Sequence, residues 1–153
     1  MTALLSLLKN KNVSFDILEH PQPIRSAQDG ADYFGIAIGQ TAPTLVLQTD
    51  NGYVAAILSG DRGRLDFQTV AALLGCKEVK LAPPKKVEEI TGFRIGTVPL
   101  VGLCLPCLFD RGLFRYPSVY GGTGDACSTL KISPVEVEAL NQVVAYLEHP
   151  QNS

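Results

Sequence analysis

Two runs of β-forming residues, Thr44 to Thr49 and Tyr53 to Leu58, flank the tripeptide Asp50-Asn51-Gly52. Asn and Gly tolerate positive φ, so this pattern predicts a hairpin. It commits the middle of the chain to an antiparallel pair that must bury at least one face against something else.

The surrounding segments supply helices for that purpose. Leu4, Leu5, Leu7 and Leu8 form the apolar face of a first helix that Thr2 can cap, and Val13 to Leu18 then alternates like a strand. Ser26 with Asp29 three residues on has the form of a capping box, predicting a helix over Ser26 to Phe34 closed by Gly35. Asp66 caps a helix through Leu74, with Gly75 as its stop. Cys76 to Leu81 is strand-like, and Pro83-Pro84 opens a helix ending at Gly92. From Gly96 to Tyr120, short apolar runs cut by Gly and Pro predict several short strands. Ser133, Pro134 and Glu136 combine a cap, a proline at the first helical position and an acid at the third, predicting a last helix to about Leu147. Strands in the middle with helices at irregular spacing point to an α+β fold rather than a doubly wound α/β fold.

Composition narrows the classes. The chain has 153 residues, 46% hydrophobic and 18% charged, enough to build one core and too apolar for disorder. One domain over residues 1–153 is expected. Apolar runs are short, as in Val98 to Leu105 broken by Pro99 and Gly102, far from the ~20 residues of a membrane span. Lys9 and Lys11 follow the Leu-rich start instead of preceding it, the reverse of a secretory signal. A cytoplasmic location is therefore expected, where the four cysteines stay reduced. A net charge of −2 excludes a generic nucleic-acid coat. The acidic excess lies after residue 124, where Asp125, Glu136, Glu138 and Glu148 face only Lys131. Lys77, Lys80, Lys85 and Lys86 cluster, either as a phosphate-facing rim or as a solvated face, the latter being the commoner case.

No HExxH, P-loop or dinucleotide glycine fingerprint occurs, and no cofactor or metal is expected. Cys104 and Cys107 form a CxxC, readable as a redox pair or half a zinc site. On a strand such residues point to opposite faces, and buried packing is favoured. His149 lies in a Pro- and Asn-containing tail that is expected to fray. His20 sits at a strand exit before a Pro-containing loop, a place for a pocket rim, and Asp110 follows the apolar run ending at Phe109, where it can serve a pocket or cap a turn. Gly92 to Gly102 and Gly121 to Gly124 can bring backbone N–H groups close to a ligand.

In order, these segments resemble the YbaK and prolyl-tRNA synthetase editing-domain family, whose members hydrolyse mischarged aminoacyl-tRNA. The resemblance runs from about Leu4 to Leu147. It rests on Glu19-His20, Thr44-Leu45-Val46 before the hairpin, Leu65-Asp66, Thr91-Gly92-Phe93 with Gly96 and Gly102, Asp110, Gly121-Gly122, and Ser133 to Val137. It implies a mixed, curved, barrel-like sheet flanked by helices. It also implies a pocket for the tRNA 3′-terminal adenosine with its esterified amino acid. The expected partners are the acceptor end of tRNA and an aminoacyl-tRNA synthetase. His20 and Asp110 are the expected catalytic residues, with Asp110 holding the α-ammonium group. Ser26, Gly96, Pro99, Gly102, Gly121 and Gly122 are the expected substrate contacts, around a small amino-acid side chain.

The chain departs from the family pattern in four places. Pro43 stands where well-studied bacterial members have a Lys, and Leu18 stands for a Tyr. Pro99 precedes Leu100 in a loop that usually has Pro one residue later, and Cys127 falls near a family Asp. The Lys loss opens the alternative of a catalytically silent module that binds a tRNA end, a nucleotide, an amino acid or a synthetase.

Overall fold

A computed structural model describes residues 2–149, with the side chain of Thr2, and hence its capping role, outside the described part. Five helices and eight strands follow one another as α1 (Thr2–Asn10), β1 (Phe15–Glu19), α2 (Ala27–Phe34), β2 (Thr44–Thr49), β3 (Gly52–Ile57), α3 (Phe67–Leu74), β4 (Val79–Leu81), α4 (Pro84–Thr91), β5 (Pro106–Asp110), β6 (Val119–Gly121), β7 (Ser128–Ile132), α5 (Pro134–Ala139) and β8 (Gln142–Leu147). Short 3-10 turns at Ile38–Gln40 and Arg111–Arg115 join the elements. The α+β reading holds.

Helix boundaries fall where the side chains dictate. Ser26 accepts from Asp29 N–H at the start of α2, Asp66 accepts from Gln68 N–H at α3, and Ser133 accepts from Val135 N–H at α5. Each satisfies a donor the first helical turn leaves orphaned. Gly35, Gly75 and Gly92 close α2, α3 and α4 in the left-handed conformation that suits a residue without Cβ.

The strands form two sheets rather than one barrel-like sheet. A three-stranded antiparallel sheet has the order β1-β7-β6, and a five-stranded mixed sheet has the order β4-β2-β3-β5-β8. The expected hairpin is β2-β3, with Thr44 opposite Ile57. β5 lies parallel to β3 and to β8, and alternates its faces: Cys107 and Phe109 join a core with Leu4, Leu8, Leu100 and Leu130, while Leu108 joins Leu47, Val70 and Leu147. A parallel bridge between Thr41 and Tyr120 links the two sheets at the start of β2.

Two elements differ from expectation. The last helix ends at Ala139, and Gln142–Leu147 is a strand. Val143, Val144 and Tyr146 favour a pleated surface, and Asn141 stops the helix by donating from Nδ2 to Val137 O and Leu100 O. Ser128–Ile132, without a sequence signal of its own, is the central strand β7. No helix among the described residues is long and apolar enough to cross a membrane.

Candidate functional site

The start of α2, the start of β2, the Gly96 turn, β6 and β7 surround a cavity of about 260 Å³. Each wall is held by backbone bonds. Ala42 N–H donates to Tyr120 O at 2.7 Å, fixing β2 against β6, and Leu100 N–H donates to Gly122 O at 3.0 Å, fixing the Gly-rich loop against the same strand. A Cβ on Gly122 would stand 2.2 Å from Val98 O, so glycine is required where the two chains cross. The close approach is of the chain to itself, and it shapes the cavity wall.

The wall is mostly apolar and neutral, with one cation and one carboxylate among the described lining residues, Arg25 and Asp125. Arg25 is exposed at the mouth and pairs with no carboxylate among the described residues. Arg94 does not line the cavity, and the Lys131 Nζ lies over the Tyr120 ring, 5.8 Å from its centroid. Pro43 lines the wall where the family pattern has Lys. Beside it, Thr44 Oγ1 is buried and meets no hydrogen-bond partner. Asp125 Oδ1 accepts from Cys127 N–H at 2.9 Å. The acid of this segment thus stands two residues before Cys127, in the cavity wall.

His20 lies behind the wall rather than on its rim. It is 5% exposed, and its backbone extends the β1-β7 pairing by donating from N–H to Cys127 O at 3.0 Å. Its Nδ1 stands 2.6 Å from Gln22 O, and its Nε2 stands 3.0 Å from Thr129 Oγ1. The edges of Tyr33 and Phe34 enclose the ring. Thr129, opposite Leu18 in the β1-β7 register, lines the cavity.

Asp110 lies elsewhere, and this corrects its expected place in the pocket. Its carboxylate is fully buried, with Oδ2 accepting from Ser59 N–H at 2.9 Å and Arg62 Nε at 2.7 Å, and Oδ1 from Gly112 N–H at 2.8 Å and Arg62 Nη2 at 3.3 Å. It caps the Arg111–Arg115 turn, the other role open to it. Arg62 also donates to Glu148 O, and Ser59 Oγ ties Gly39 O at 2.6 Å. Arg115 bridges Ser59 and Asp61, and its hydrogen bond holds the Asp61 carboxyl below the usual carboxylate range. His149 joins this cluster instead of fraying, with Nε2 at 3.9 Å from Asp61.

Of the other expected contacts, Ser26, Gly96, Gly121 and Gly122 line the cavity, whereas Pro99 and Gly102 do not. Pro99 is buried, and Gly102, at φ +75°, faces Leu7. Lys77 and Lys80 border a second cavity, of about 480 Å³, with Asp50 and Phe67, apart from the first. Cys104 is exposed and precedes β5, while Cys107 is buried within it and burial pushes its thiol up to about 11. A thiol so shifted is a poor nucleophile or redox partner. Thr129 and Asp125 escaped the sequence analysis as site residues because neither belongs to a motif, and Thr44 entered it only within the Thr44-Leu45-Val46 run; β7, its preceding loop and the start of β2 bring the three to one wall.

The model of the aminoacyl-tRNA editing domain matches residues 21–140. The chain belongs to that family. It is 30% identical over 119 residues to the multifunctional Ser/Thr-tRNA deacylase ProXp-y of Escherichia coli K12, covering 71% of this chain and 70% of that protein. It is 29% identical over 97 residues to the proline–tRNA ligase of Thermosipho melanesiensis, covering 63% of this chain but only 17% of the ligase. Among solved structures, a candidate trans-editing enzyme for prolyl tRNA synthetase superposes with a TM-score of 0.85 at 28% identity, over 99% of this chain and 96% of that one. In this editing domain the matched segment runs from the loop after His20 to the end of α5, so it includes every wall of the cavity.

Proposed function

We propose that this chain is a trans-editing deacylase that hydrolyses the ester of a mischarged aminoacyl-tRNA bearing a small side chain. The observation that carries the reading is the cavity itself, built wholly from the segment that matches the editing domain. At about 260 Å³ it lies below the ~300–1,000 Å³ of a typical ligand pocket. It accommodates a fragment of a larger substrate, as a site for the aminoacylated end of a tRNA must.

Asp125 is the carboxylate placed to meet the α-ammonium group of the aminoacyl moiety, the role first expected of Asp110. Arg25 at the mouth is placed to meet a phosphate of the acceptor end, in place of the Lys that Pro43 replaces. Small volume selects small side chains, since each methylene that fails to fit changes discrimination by about 1–3 kcal/mol. The net charge of −2 is compatible with a substrate gripped by its last nucleotides, because few phosphate contacts are then needed.

The test is a panel of tRNAs charged with glycine, alanine, serine, cysteine, threonine and proline. Release of at least one of these amino acids above the spontaneous rate is expected. Absence of turnover across the panel overturns the deacylase reading, and tRNA binding without turnover would favour a silent binding module, the reading to which Pro43 points.

A further inference from the structure

A buried histidine with one nitrogen on a carbonyl and the other on the hydroxyl of a cavity-lining residue has only one neutral form. Gln22 O can only accept, so at 2.6 Å the proton of neutral His20 sits on Nδ1. Nε2 is then an acceptor, and the Thr129 hydroxyl, 3.0 Å away, donates to it. With its proton turned toward His20, Thr129 Oγ1 keeps both lone pairs free to accept from a water, and Thr129 belongs to the cavity wall.

We propose that Thr129 and His20 form a proton relay for the hydrolytic water. Thr129 contacts the water in the cavity, and His20 receives the proton from behind the wall. This deepens the deacylase reading and rests on it. As the water oxygen bonds to the ester carbonyl carbon, the water proton passes to Thr129 Oγ1 while the Thr129 proton passes to His20 Nε2. When the tetrahedral adduct collapses and the carbon–oxygen bond to the ribose breaks, the proton returns through Thr129 to the departing ribose oxygen. A free amino acid and an uncharged tRNA end leave, and His20 and Thr129 are restored.

Two structural facts favour the relay over a purely supporting contact. His20 keeps both hydrogen bonds in either charge state. Protonated, it donates from Nδ1 to Gln22 O and from Nε2 to Thr129 Oγ1, so a ring only 5% exposed can gain a proton without orphaning a polar atom. The distance is also fixed on both sides by the sheet. Leu18 opposes Thr129 and Glu19 opposes Ser128, and the His20 N–H bond to Cys127 O continues the ladder. A proton acceptor held this way needs no reorganisation when the charge moves.

The experiment uses the full chain with seryl- and alanyl-tRNA as probes. Thr129→Val keeps the side-chain shape and removes the hydroxyl, Thr129→Ser keeps the hydroxyl, and His20→Gln removes the acceptor. The relay predicts that Thr129→Val and His20→Gln each lower kcat about 100-fold with KM within about threefold, and that the double variant falls little further because the two act as one unit. Thr129→Ser is expected to stay within about fivefold of the parent. Thermal unfolding checks that each variant is folded, and if Thr129→Val is not, the contrast between His20→Gln and Thr129→Ser decides. An active parent with an unaffected Thr129→Val, or losses that multiply in the double variant, overturns the relay while leaving the deacylase reading intact. An acyl group trapped on Thr129 overturns it in favour of a covalent route. A parent inactive across the whole panel of six charged tRNAs overturns both.

Discussion

Asp110 in its cluster and His20 behind the cavity wall are the two residues the sequence marked as catalytic, yet the Asp110 carboxylate and the cavity handle polar groups in opposite ways. The Asp110 carboxylate itself is fully engaged, although His149 Nδ1 in the same cluster is buried without a partner. Two backbone N–H groups and two nitrogens of Arg62 converge on one carboxylate, and nothing remains to meet a substrate. Around the cavity, polar groups are left over: Arg25 faces the mouth without a carboxylate partner among the described residues, and Thr44 Oγ1 has no partner. Burial of an ionisable group therefore does not identify a site. What sets the cavity apart is that its unused hydrogen-bonding capacity belongs to residues lining an open space.

The largest expected effect tests the closed region. Asp110→Asn leaves Arg62, 10% exposed at its side chain, beside a neutral amide whose NH2 adds donors to a nest of donors. Removing one partner of a buried ion pair typically costs about 3–5 kcal/mol. Chemical denaturation of this variant should show a loss of that size, with the folded fraction keeping its kcat. A stable variant with lost turnover would return Asp110 to the chemistry and erase the contrast.

Asp61, at the solvent edge of the same cluster, should behave more mildly. Its side chain is 28% exposed, so solvent screens its pair with Arg115 and the contribution stays under about 1 kcal/mol. The sign follows from the depressed folded pKa, which the Arg115 hydrogen bond sets first. Stability is fully present above the unfolded carboxyl pKa near 4 and is lost as pH falls through the lower folded value. Asp61→Asn should therefore cost stability at pH 7 and much less at pH 3. An equal loss at both would show that the side-chain shape, not the charge, matters there.

Arg25 tests the open region. Arg25→Gln should raise KM for aminoacyl-tRNA about tenfold at low salt while leaving kcat and thermal stability unchanged, since the side chain is exposed and holds nothing else in place. One phosphate contact fewer should also flatten the salt dependence of binding by about one unit of slope. Arg25→Lys should recover part of the loss. An unchanged KM would place the phosphate contacts elsewhere on the surface.

The same contrast explains what the sequence disclosed. Caps are local chemistry, so Ser26, Asp66 and Ser133 and the left-handed Gly35, Gly75 and Gly92 marked helix ends correctly. The Asp50-Asn51-Gly52 turn did the same for β2 and β3. β7 and β8 were hidden because their reasons are distant: β7 pairs with β1 across more than a hundred residues of chain, and β8 takes its strand form from β5. The site followed suit. Glycines that shape the wall stand out by type, but Thr129 and Asp125 are ordinary residues whose placement depends on β7 and its preceding loop. Asp110 misled for a related reason, since a carboxylate at a strand end has the same sequence signature whether it faces a substrate or an arginine.

Thr44 supplies the sharpest sign. A buried hydroxyl without a partner forfeits its hydration, a loss of about 1–3 kcal/mol for a fully desolvated group. Thr44 is only partly buried as a residue, so the gain from Thr44→Val, which keeps the β-branched shape on β2, should be nearer 1 kcal/mol. Thermal unfolding should thus show a slightly higher Tm, the opposite direction to Asp110→Asn. If the hydroxyl meets substrate, the same variant should turn over seryl-tRNA less well than the parent while gaining stability. That pairing, stability up and activity down, is expected of a polar group kept unsatisfied for a ligand. A drop in Tm would instead mean that Thr44 is already satisfied in solution, and the cavity would lose its unpartnered buried hydroxyl.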